Sequence, residues 1–446
     1  MSPLPQLEGI APDTATVGPG GHLLVGGCDV VDVALRYGTP IYLYDEATIR
    51  ARARAFREAV GGYPARAAVQ YAAKAYCAPW LLRVMAEEGM GLDVVSGGEL
   101  QVAAGVDFPR ERISFHGNNK TGEELELALR ERVGRVVIDN LDEIDRLATQ
   151  AAERGTRQAV LLRVNPAVAA RTHEHLQTGA ADSKFGLSLS SDDAATGVGM
   201  IVERPSLDFR GLHFHIGSQI GEIEPYREAL DRAFRFARGL RDRGLPLREL
   251  SPGGGYRVRY LPSDTPVDTV AMAREVAKMV VEIAERHGFA GAVPDLSIEP
   301  GRALVASAGL AVYRVGSVKA VPGGRTYVAV DGGMADNIRP TAYGAEYTAV
   351  LANRMTHAAE ATFAIAGRYC ESGDILIREV RLPRPRPGDL VAIPASGAYH
   401  LAMASNYNLV PRPAVVVVAD GVARLVRRRE TYADLLSAEL PYDSVP

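Results

Sequence analysis

The stretch Ala68-Val69-Gln70-Tyr71-Ala72-Ala73-Lys74-Ala75 begins the repeating pattern that decides the fold of this chain. Its apolar run predicts a buried strand at 68–71, and the amphipathic residues 78–88 predict a helix after it. Further strands are expected at 92–95, 112–115, 135–138, 159–164, 211–216, 247–251 and 296–298. Roughly eight βα units in series favour a (β/α)8 barrel, although a doubly wound open sheet has the same local pattern.

Helices are expected between most of these strands. The predicted ranges are 78–88, 98–104, 123–131, 142–154, 224–243 and 267–287. Asn140 is a candidate N-cap, and Glu143 three residues later completes the sequence pattern of a capping box.

The sequence after Arg302 has a different character. Apolar runs at 311–321, 326–330, 379–382, 390–393 and 414–418 are separated by Pro-Gly, Gly-Gly and Asp-Gly turns. This pattern is typical of an antiparallel β domain. A hairpin-like pattern at 23–26 and 41–44 is expected to add strands to it. The predicted organisation is a barrel at 46–303 and a β domain formed by 1–45 and 304–446.

Composition excludes several classes of protein. The chain has 446 residues, of which 47% are hydrophobic and 23% charged, and its formal net charge is −4. Nothing in this charge favours nucleic acid, and no apolar run approaches the roughly 20 residues that span a bilayer. The N-terminus lacks a signal-peptide pattern. Three cysteines cannot form a disulfide framework, so a cytoplasmic protein without a membrane or nucleic-acid partner is expected.

Polar residues follow the predicted barrel strands, where catalytic groups of such barrels lie. Lys74 follows the first strand and is a candidate Schiff-base lysine, because a desolvated amine is neutral and attacks carbonyls. A surface lysine whose amine reaches solvent is the alternative. The other candidates at this edge are Asp93, His215, Ser218, Gly253, Gly254, Gly255, Glu299, Pro300, Gly301 and Arg302.

The glycine triplet 253–255 lets backbone N–H groups approach a phosphate, although an isolated triplet is more often a tight turn. Its position after strand 7, with Arg302 after strand 8, favours the phosphate site. Glu299 can keep a pyridine nitrogen protonated, and His215 can stack on a ring or simply fill the core. Together with Lys74 these residues indicate pyridoxal phosphate, and no metal site is expected.

The predicted β domain carries a second group of candidates. Cys370 lies beside acidic residues, which favour the protonated thiol, so it can donate a proton; a buried small hydrophobe is the alternative. Arg339, Tyr343, Glu371 and Tyr399 lie in neighbouring motifs of this domain.

These motifs, taken in order, resemble the fold type III, alanine-racemase-like, pyridoxal-phosphate decarboxylases, and among them the branch that acts on diaminopimelate. The matching stretches are 71–75, 116–120, Thr172-His173-Glu174, Thr178-Gly179, 182–186, 215–219, 253–255, 299–302, 339–343, 370–374 and 403–408. The resemblance implies a homodimer with shared active sites, in which Cys370 is supplied by the partner subunit. It also implies decarboxylation of meso-2,6-diaminopimelate to L-lysine and CO2, the last step of lysine biosynthesis.

The resemblance also implies roles for single residues. Lys74 would bind the cofactor covalently, with His215 on its ring, Glu299 at its nitrogen, and Ser218, the glycines and Arg302 at its phosphate. Cys370 would be the proton donor. The implied substrate contacts are Arg302, Arg339, Tyr343, Glu371 and Tyr399, and Tyr399 would also contact the cofactor.

Four positions depart from the family's pattern, namely Tyr256, Ala342, Tyr347 and His400. Two other functions stay open at this point. One is a related decarboxylase for another basic amino acid or a carboxylated polyamine, and the other is a catalytically silent regulator. A racemase is disfavoured, because Cys370 suits protonation from one side.

Overall fold

The computed structural model describes residues 4–168 and 183–440. The matched motif residues Thr172, His173, Glu174, Thr178, Gly179 and Asp182 lie outside the described residues.

The strands are named in chain order. They are β1 (Thr16–Val17), β2 (Leu23–Val25), β3 (Cys28–Asp29), β4 (Ile41–Asp45), β5 (Ala67–Ala72), β6 (Gly91–Val94), β7 (Ile113–Phe115), β8 (Arg135–Ile138), β9 (Gln158–Asn165), β10 (Leu187–Ser188), β11 (Leu207–His213), β12 (Glu249–Ser251), β13 (Asp295–Ile298), β14 (Gly309–Ala320), β15 (Thr326–Val330), β16 (Val350–Leu351), β17 (Ala361–Ala366), β18 (Ile375–Leu382), β19 (Leu390–Ile393), β20 (Ala414–Ala419) and β21 (Val422–Arg427).

The helices are named in the same way. They are α1 (Val30–Tyr37), α2 (Glu46–Val60), α3 (Pro79–Glu87), α4 (Gly97–Gly105), α5 (Gly122–Glu131), α6 (Leu141–Glu153), α7 (Asp193–Val202), α8 (Glu224–Arg241), α9 (Thr269–Arg286), α10 (Arg302–Val305), α11 (Arg339–Tyr343) and α12 (Tyr432–Leu435). No helix in the described ranges is long and apolar enough to cross a membrane.

Eight parallel strands form a closed barrel. The hydrogen-bonded order is β9-β11-β12-β13-β5-β6-β7-β8, and β8 pairs with β9 to close the ring. This closure confirms the predicted (β/α)8 barrel and excludes the open sheet. Among the barrel strands, the sixth differs most from its predicted bounds: β11 begins at Leu207 and ends at His213, so that His215 lies in the loop beyond it.

The N-terminus of α6 confirms the predicted N-cap but not the predicted capping box. Asn140 caps α6 and accepts a hydrogen bond from the Glu143 backbone N–H, as predicted. The Glu143 carboxylate, however, binds the buried Lys120 ammonium at 2.8 Å instead of completing a capping box. An ion pair away from water is stronger than a hydrogen bond to an exposed cap, which explains the difference.

The second sheet is mostly antiparallel, as predicted. Its order is β18-β17-β15-β14-β4-β20-β21, with β19 paired to β14 and β16. β4 lies inside this sheet, between β14 and β20. The strand predicted at 41–44 therefore joins this sheet, as expected. It does not form a hairpin with 23–26, because α1 separates β2 from β4 and β2 pairs with β1 and β3 in a small sheet. Asp29 caps α1 by accepting from the Val31 N–H, which explains why a helix begins there.

The chain forms two compact units. One contains Arg50–Arg257 and Val267–Leu304, which hold the barrel. The other contains the described parts of Met1–Ile49, Val258–Pro266 and Val305–Pro446, which hold the second sheet.

Candidate active site

Lys74 lies at the carboxyl edge of the barrel, in a single 3-10 turn at Ala73–Ala75 directly after β5. Ala73 and Ala75 are buried, which anchors the turn, whereas the Lys74 side chain is exposed. The expectation that this lysine is partly desolvated is therefore wrong for the chain alone, because its side chain is exposed. Its charge still acts on Asp93 and Glu99, lowering the pKa of each against the stronger effect of their burial.

Glu299 follows β13 and is the central carboxylate of this edge. Its two oxygens accept hydrogen bonds from His213 Nε2 at 3.0 Å and from Ser251 Oγ at 2.5 Å. Burial alone would raise the pKa of Glu299, but the neighbouring histidines and these bonds outweigh it and hold the pKa below its ordinary value. Glu299 is therefore a buried carboxylate that stays ionised.

Two histidines beside Glu299 are neutral at physiological pH. Burial lowers the pKa of both His116 and His213 to about 4. Their rings meet edge to face, with centroids 4.9 Å apart. Together with Glu299 they offer ligand atoms within 4.8 Å of one another, a set that could also hold a metal ion. The expected absence of a metal stays a prediction.

Asp93 is buried near this group, and its Oδ1 lies 3.4 Å from His116 Nε2. Burial and the Glu299 carboxylate raise the pKa of Asp93 well above its ordinary value. Two coupled carboxyl groups of unlike environment thus lie at one edge, Glu299 ionised and Asp93 tending to hold a proton.

The glycine loop after β12 packs too closely for any larger residue. A Cβ on Gly254 would lie 2.0 Å from the Glu299 carbonyl oxygen, and one on Gly255 would lie 2.3 Å from that of Gly217. The Gly253 N–H donates to Ser251 Oγ, and the Gly254 N–H donates to His215 Nδ1, both at 3.2 Å.

His215 is oriented by this loop. Because Nδ1 accepts the Gly254 N–H, a neutral ring carries its proton on Nε2. Burial lowers the pKa of His215 well below its ordinary value, and the Lys74 charge lowers it further. A neutral imidazole can stack on a cationic ring without repulsion.

Arg302 and Ser218 meet near the same loop. Arg302 is buried, and its Nη2 donates to Ser218 Oγ at 3.2 Å. A Cβ on Gly301 would lie 3.0 Å from the Cβ of Ala72, so the segment after β13 packs directly against the end of β5, just before the turn that carries Lys74. The Pro300 carbonyl accepts the Ala72 N–H at 3.3 Å, which fixes this approach.

These barrel residues fit pyridoxal phosphate. They combine an amine, an anion-binding loop with a buried arginine, and an ionised carboxylate suited to a protonated ring nitrogen. The buried His116 Nε2 has no hydrogen-bond partner among the described residues, so a polar group of a bound cofactor would satisfy it.

The other unit contains the second group of sequence candidates. Arg339 and Tyr343 lie on α11, and Arg339 is only 4% exposed. Its Nη1 donates to Tyr260 Oη at 3.2 Å, and its guanidinium lies 5.9 Å from the Tyr399 ring centroid. Within residues 4–168 and 183–440, no carboxylate is within ion-pair distance of Arg339. The structure thus holds a buried cation without an acidic partner.

Cys370 and Glu371 are exposed on a tight turn beside α11. The turn is held by the Cys370 N–H, which donates to Asn408 Oδ1 at 2.9 Å, and by Thr341 Oγ1, which donates to the Gly373 carbonyl at 3.0 Å. The alternative of a buried hydrophobic cysteine is excluded, because the turn presents Cys370 to solvent.

Several residues of these groups were not identified from the sequence. Tyr260 lies in a loop without a motif, and nothing in its surroundings indicates that it binds Arg339. Arg163 lies in β9, pairs with Asp139 at 3.3 Å and lies 4.3 Å from the Phe185 ring centroid. Its charge lowers the pKa of the active-site histidines beyond the effect of burial.

Comparisons with known proteins agree with this site. Residues 46–306 match the pyridoxal binding domain of the pyridoxal-dependent decarboxylases. The chain is 45% identical to diaminopimelate decarboxylase from Bacillus subtilis, over 95% of this chain and 96% of that protein. It is 47% identical to the enzyme of the same name from Actinosynnema pretiosum, over 94% and 93% of the two chains.

A solved structure gives the same result. The crystal structure of diaminopimelate decarboxylase from M. jannaschii in complex with L-lysine superposes with a TM-score of 0.89 at 32% identity. The match covers 98% of this chain and 99% of that one. The chain therefore belongs to the diaminopimelate decarboxylase family of the pyridoxal-dependent decarboxylases.

Proposed function

We propose that this chain is a carbon–carbon lyase that decarboxylates meso-2,6-diaminopimelate to L-lysine and CO2 with pyridoxal phosphate. The observation that supports this substrate assignment is the buried Arg339, whose charge has no acidic partner among the described residues. A second carboxylate on the substrate would supply that partner, since arginine grips carboxylates with paired hydrogen bonds.

The cofactor would be held by the barrel residues. Lys74 is the amine for its aldehyde, and His215 supplies a neutral ring to stack on it. Phosphate contacts are assigned to Ser218, Gly253–Gly255, Gly301 and Arg302, with Asp93 and Pro300 lining the site. When bound, pyridoxal phosphate supplies an electron sink for the pair left by departing CO2.

Glu299 supports that chemistry by staying ionised. A carboxylate beside the ring nitrogen stabilises its protonated form, and the neutral His213 and His116 add no competing positive charge. The bonds from His213 and Ser251 hold both carboxylate oxygens in place, so the proton at the ring nitrogen is positioned before substrate binds.

The β domain would orient the substrate and deliver the proton. Arg302, Arg339, Tyr343, Glu371 and Tyr399 are assigned to the substrate. Among them the arginines are assigned to its distal carboxylate and Glu371 to its distal ammonium, and Tyr399 is also assigned to the cofactor. Cys370 is assigned as the proton donor that replaces CO2 on carbon. Its exposure, together with that of Glu371, supports a homodimer in which this turn completes the partner's site.

The domain limits and location follow the same reasoning. We assign residues 46–303 to cofactor binding and residues 1–45 and 304–446 to the β domain, and the family match over 46–306 supports the first assignment. The cysteines Cys28, Cys77 and Cys370 are all free thiols, which supports a reducing cytoplasm.

The decisive experiment measures CO2 release from meso-diaminopimelate beside L-ornithine, L-arginine and L-lysine. Only the first should react efficiently, because a site with unpaired polar groups discriminates by roughly 10⁴-fold or more. Efficient release from one of the other amino acids, with meso-diaminopimelate inert, would overturn the assignment.

Two variants test the assigned roles. Lys74→Ala should abolish the cofactor's covalent absorbance band, whereas Lys278→Ala, an exposed lysine on α9, should keep it. Mixing Lys74→Ala chains with Cys370→Ala chains should restore part of the activity, because one hybrid site then has both residues. No recovery in a proven heterodimer would contradict the shared site.

A further inference from the structure

His400 is buried, at 1% exposure, and both of its ring nitrogens contact tyrosine hydroxyls. Nδ1 lies 3.2 Å from Tyr42 Oη, and Nε2 lies 2.9 Å from Tyr347 Oη. Tyr42 and Tyr347 are themselves buried, so a continuous polar chain runs through the interior of this unit. Burying three polar side chains is costly unless they are paired, which indicates that their arrangement is specific.

The hydrogen bonds that link Tyr42, His400 and Tyr347 run in one direction. Tyr42 donates its hydroxyl proton to the Asp336 carbonyl at 3.2 Å, so its oxygen is left to accept from His400 Nδ1–H. A neutral His400 then has an acceptor at Nε2, to which the Tyr347 hydroxyl donates.

Arg339 is connected to these residues through Tyr260. Burial acts to lower the pKa of Arg339, but the hydroxyl groups of Tyr260, Tyr347 and Tyr399 outweigh it and raise the pKa. The Tyr347 ring packs edge to face on Tyr260, with centroids 5.2 Å apart, and Tyr260 Oη accepts from Arg339 Nη1. His400 also packs edge to face on Tyr347, with ring centroids 5.2 Å apart. The position of the guanidinium therefore depends on Tyr347 through the packing of Tyr347 on Tyr260.

Part of Arg339 is left for a ligand. Its Nε is buried and has no hydrogen-bond partner among the described residues. A carboxylate partner within the protein would neutralise the cation and compete with the substrate. Tyrosine dipoles stabilise the charge without cancelling it, which keeps its attraction for an incoming anion.

We propose that Tyr42, His400 and Tyr347 form a positioning unit that acts through Tyr260 to hold Arg339, and so sets the preference for ligands that carry a distal carboxylate. This inference rests on the proposed function, which assigns Arg339 to that carboxylate. The three residues need not touch the substrate, since their effect passes through the guanidinium.

The test compares two inhibitors of meso-diaminopimelate decarboxylation by the holoenzyme. L-Lysine carries the distal carboxylate, whereas 1,5-diaminopentane has the same carbon chain and both amines without it. In Tyr347→Phe we expect the inhibition constant of L-lysine to rise about tenfold, equivalent to about 1.4 kcal/mol, and that of 1,5-diaminopentane to change less than twofold. The KM for meso-diaminopimelate should rise in parallel, with a smaller change in kcat.

Two further variants separate positioning from general damage. His400→Leu should reproduce the effect of Tyr347→Phe, and His400→Gln, which keeps an acceptor for the Tyr347 hydroxyl, should recover part of the preference. Tyr44→Phe is the matched control, because Tyr44 is equally buried in the same sheet but donates to the Gly397 carbonyl instead. It should lose some thermal stability and keep the wild-type ratio of the two inhibition constants.

The outcomes distinguish this inference from the proposed function. An active wild-type enzyme whose Tyr347→Phe variant keeps the wild-type ratio, or weakens both inhibitors equally, overturns the positioning unit alone. A wild-type holoenzyme that leaves meso-diaminopimelate unreacted overturns the proposed function, and the inference with it.

Discussion

Replacing Gly254 by alanine is the sharpest steric perturbation that the barrel site offers. The new Cβ would lie 2.0 Å from the carbonyl oxygen of Glu299 and 2.7 Å from its carbonyl carbon. Contacts under 3.0 Å are essentially never seen for a Cβ, so the loop and the end of β13 must separate by about 1 Å. Gly254 has no positive φ, unlike Gly253 and Gly255, so the cost is steric and not conformational.

The displacement falls on groups assigned to the cofactor. Overpacking of this kind costs about 1–3 kcal/mol of unfolding free energy. The Gly254 N–H also orients His215, and Glu299 is the ring-nitrogen partner, so both move away from their positions. A misplacement of about 1 Å costs on the order of 10²-fold in rate, and we expect a loss of that size in kcat/KM.

The assay titrates the cofactor-free protein with pyridoxal phosphate and then measures kcat/KM and thermal unfolding. Gly239→Ala is the matched control, because Gly239 lies in α8 with nothing within 4 Å of its added Cβ. That variant should keep full activity and gain about 0.5–1 kcal/mol of stability. Wild-type cofactor affinity and rate in Gly254→Ala would refute the reasoning.

Three further predictions concern buried charges. Glu299→Gln should bind the cofactor but lose on the order of 10²–10³-fold in kcat, and an unchanged kcat would remove Glu299 from the mechanism. Burial raises the pKa of Asp336 to about 7, so its protonated form stabilises the fold fully below pH about 4, and this contribution is lost as pH rises through 7. Urea unfolding should therefore show the stability of wild type relative to Asp336→Asn falling by up to about 1.4 kcal/mol per pH unit between pH 4 and 7; a constant difference would contradict it. Lys120→Met should lower the free energy of unfolding by about 3–5 kcal/mol, because it leaves the Glu143 carboxylate buried without its cation. Adding Glu143→Leu should restore most of that stability. A double variant that unfolds as readily as Lys120→Met would contradict this reasoning.

The barrel was predictable because its signals are local. The apolar runs that mark β5 to β9 and β11 to β13 are recognised from residues only a few positions apart. The closed barrel confirms the strands that these runs predict. The same holds for Asn140, whose N-cap bond reaches only three residues along the chain.

Predictions failed where a distant group competes for the same atoms. Glu143 has the right spacing for a capping box, but Lys120 lies beside it in the folded barrel and takes its carboxylate. Residues 23–26 and 41–44 alternate as a hairpin would, yet β4 finds better partners in β14 and β20, far along the chain. Lys74 was expected to be partly buried, and only the turn after β5 shows that it is exposed.

The sequence by itself therefore determined the alternation of strands and helices in the barrel. It also determined which chemical groups are candidates for the site: the lysine, the glycine loop, the glutamate and the cysteine. The tertiary structure alone decided which of them meet and with what charge. Tyr347 and His400 were noted separately as departures from the family's pattern. They are 53 residues apart in the sequence, and only the fold places Tyr347 Oη 2.9 Å from His400 Nε2. The ionised state of Glu299 likewise depends on histidines and a serine from other strands, because burial and hydrogen bonding are properties of neighbours in space and not of neighbours in sequence.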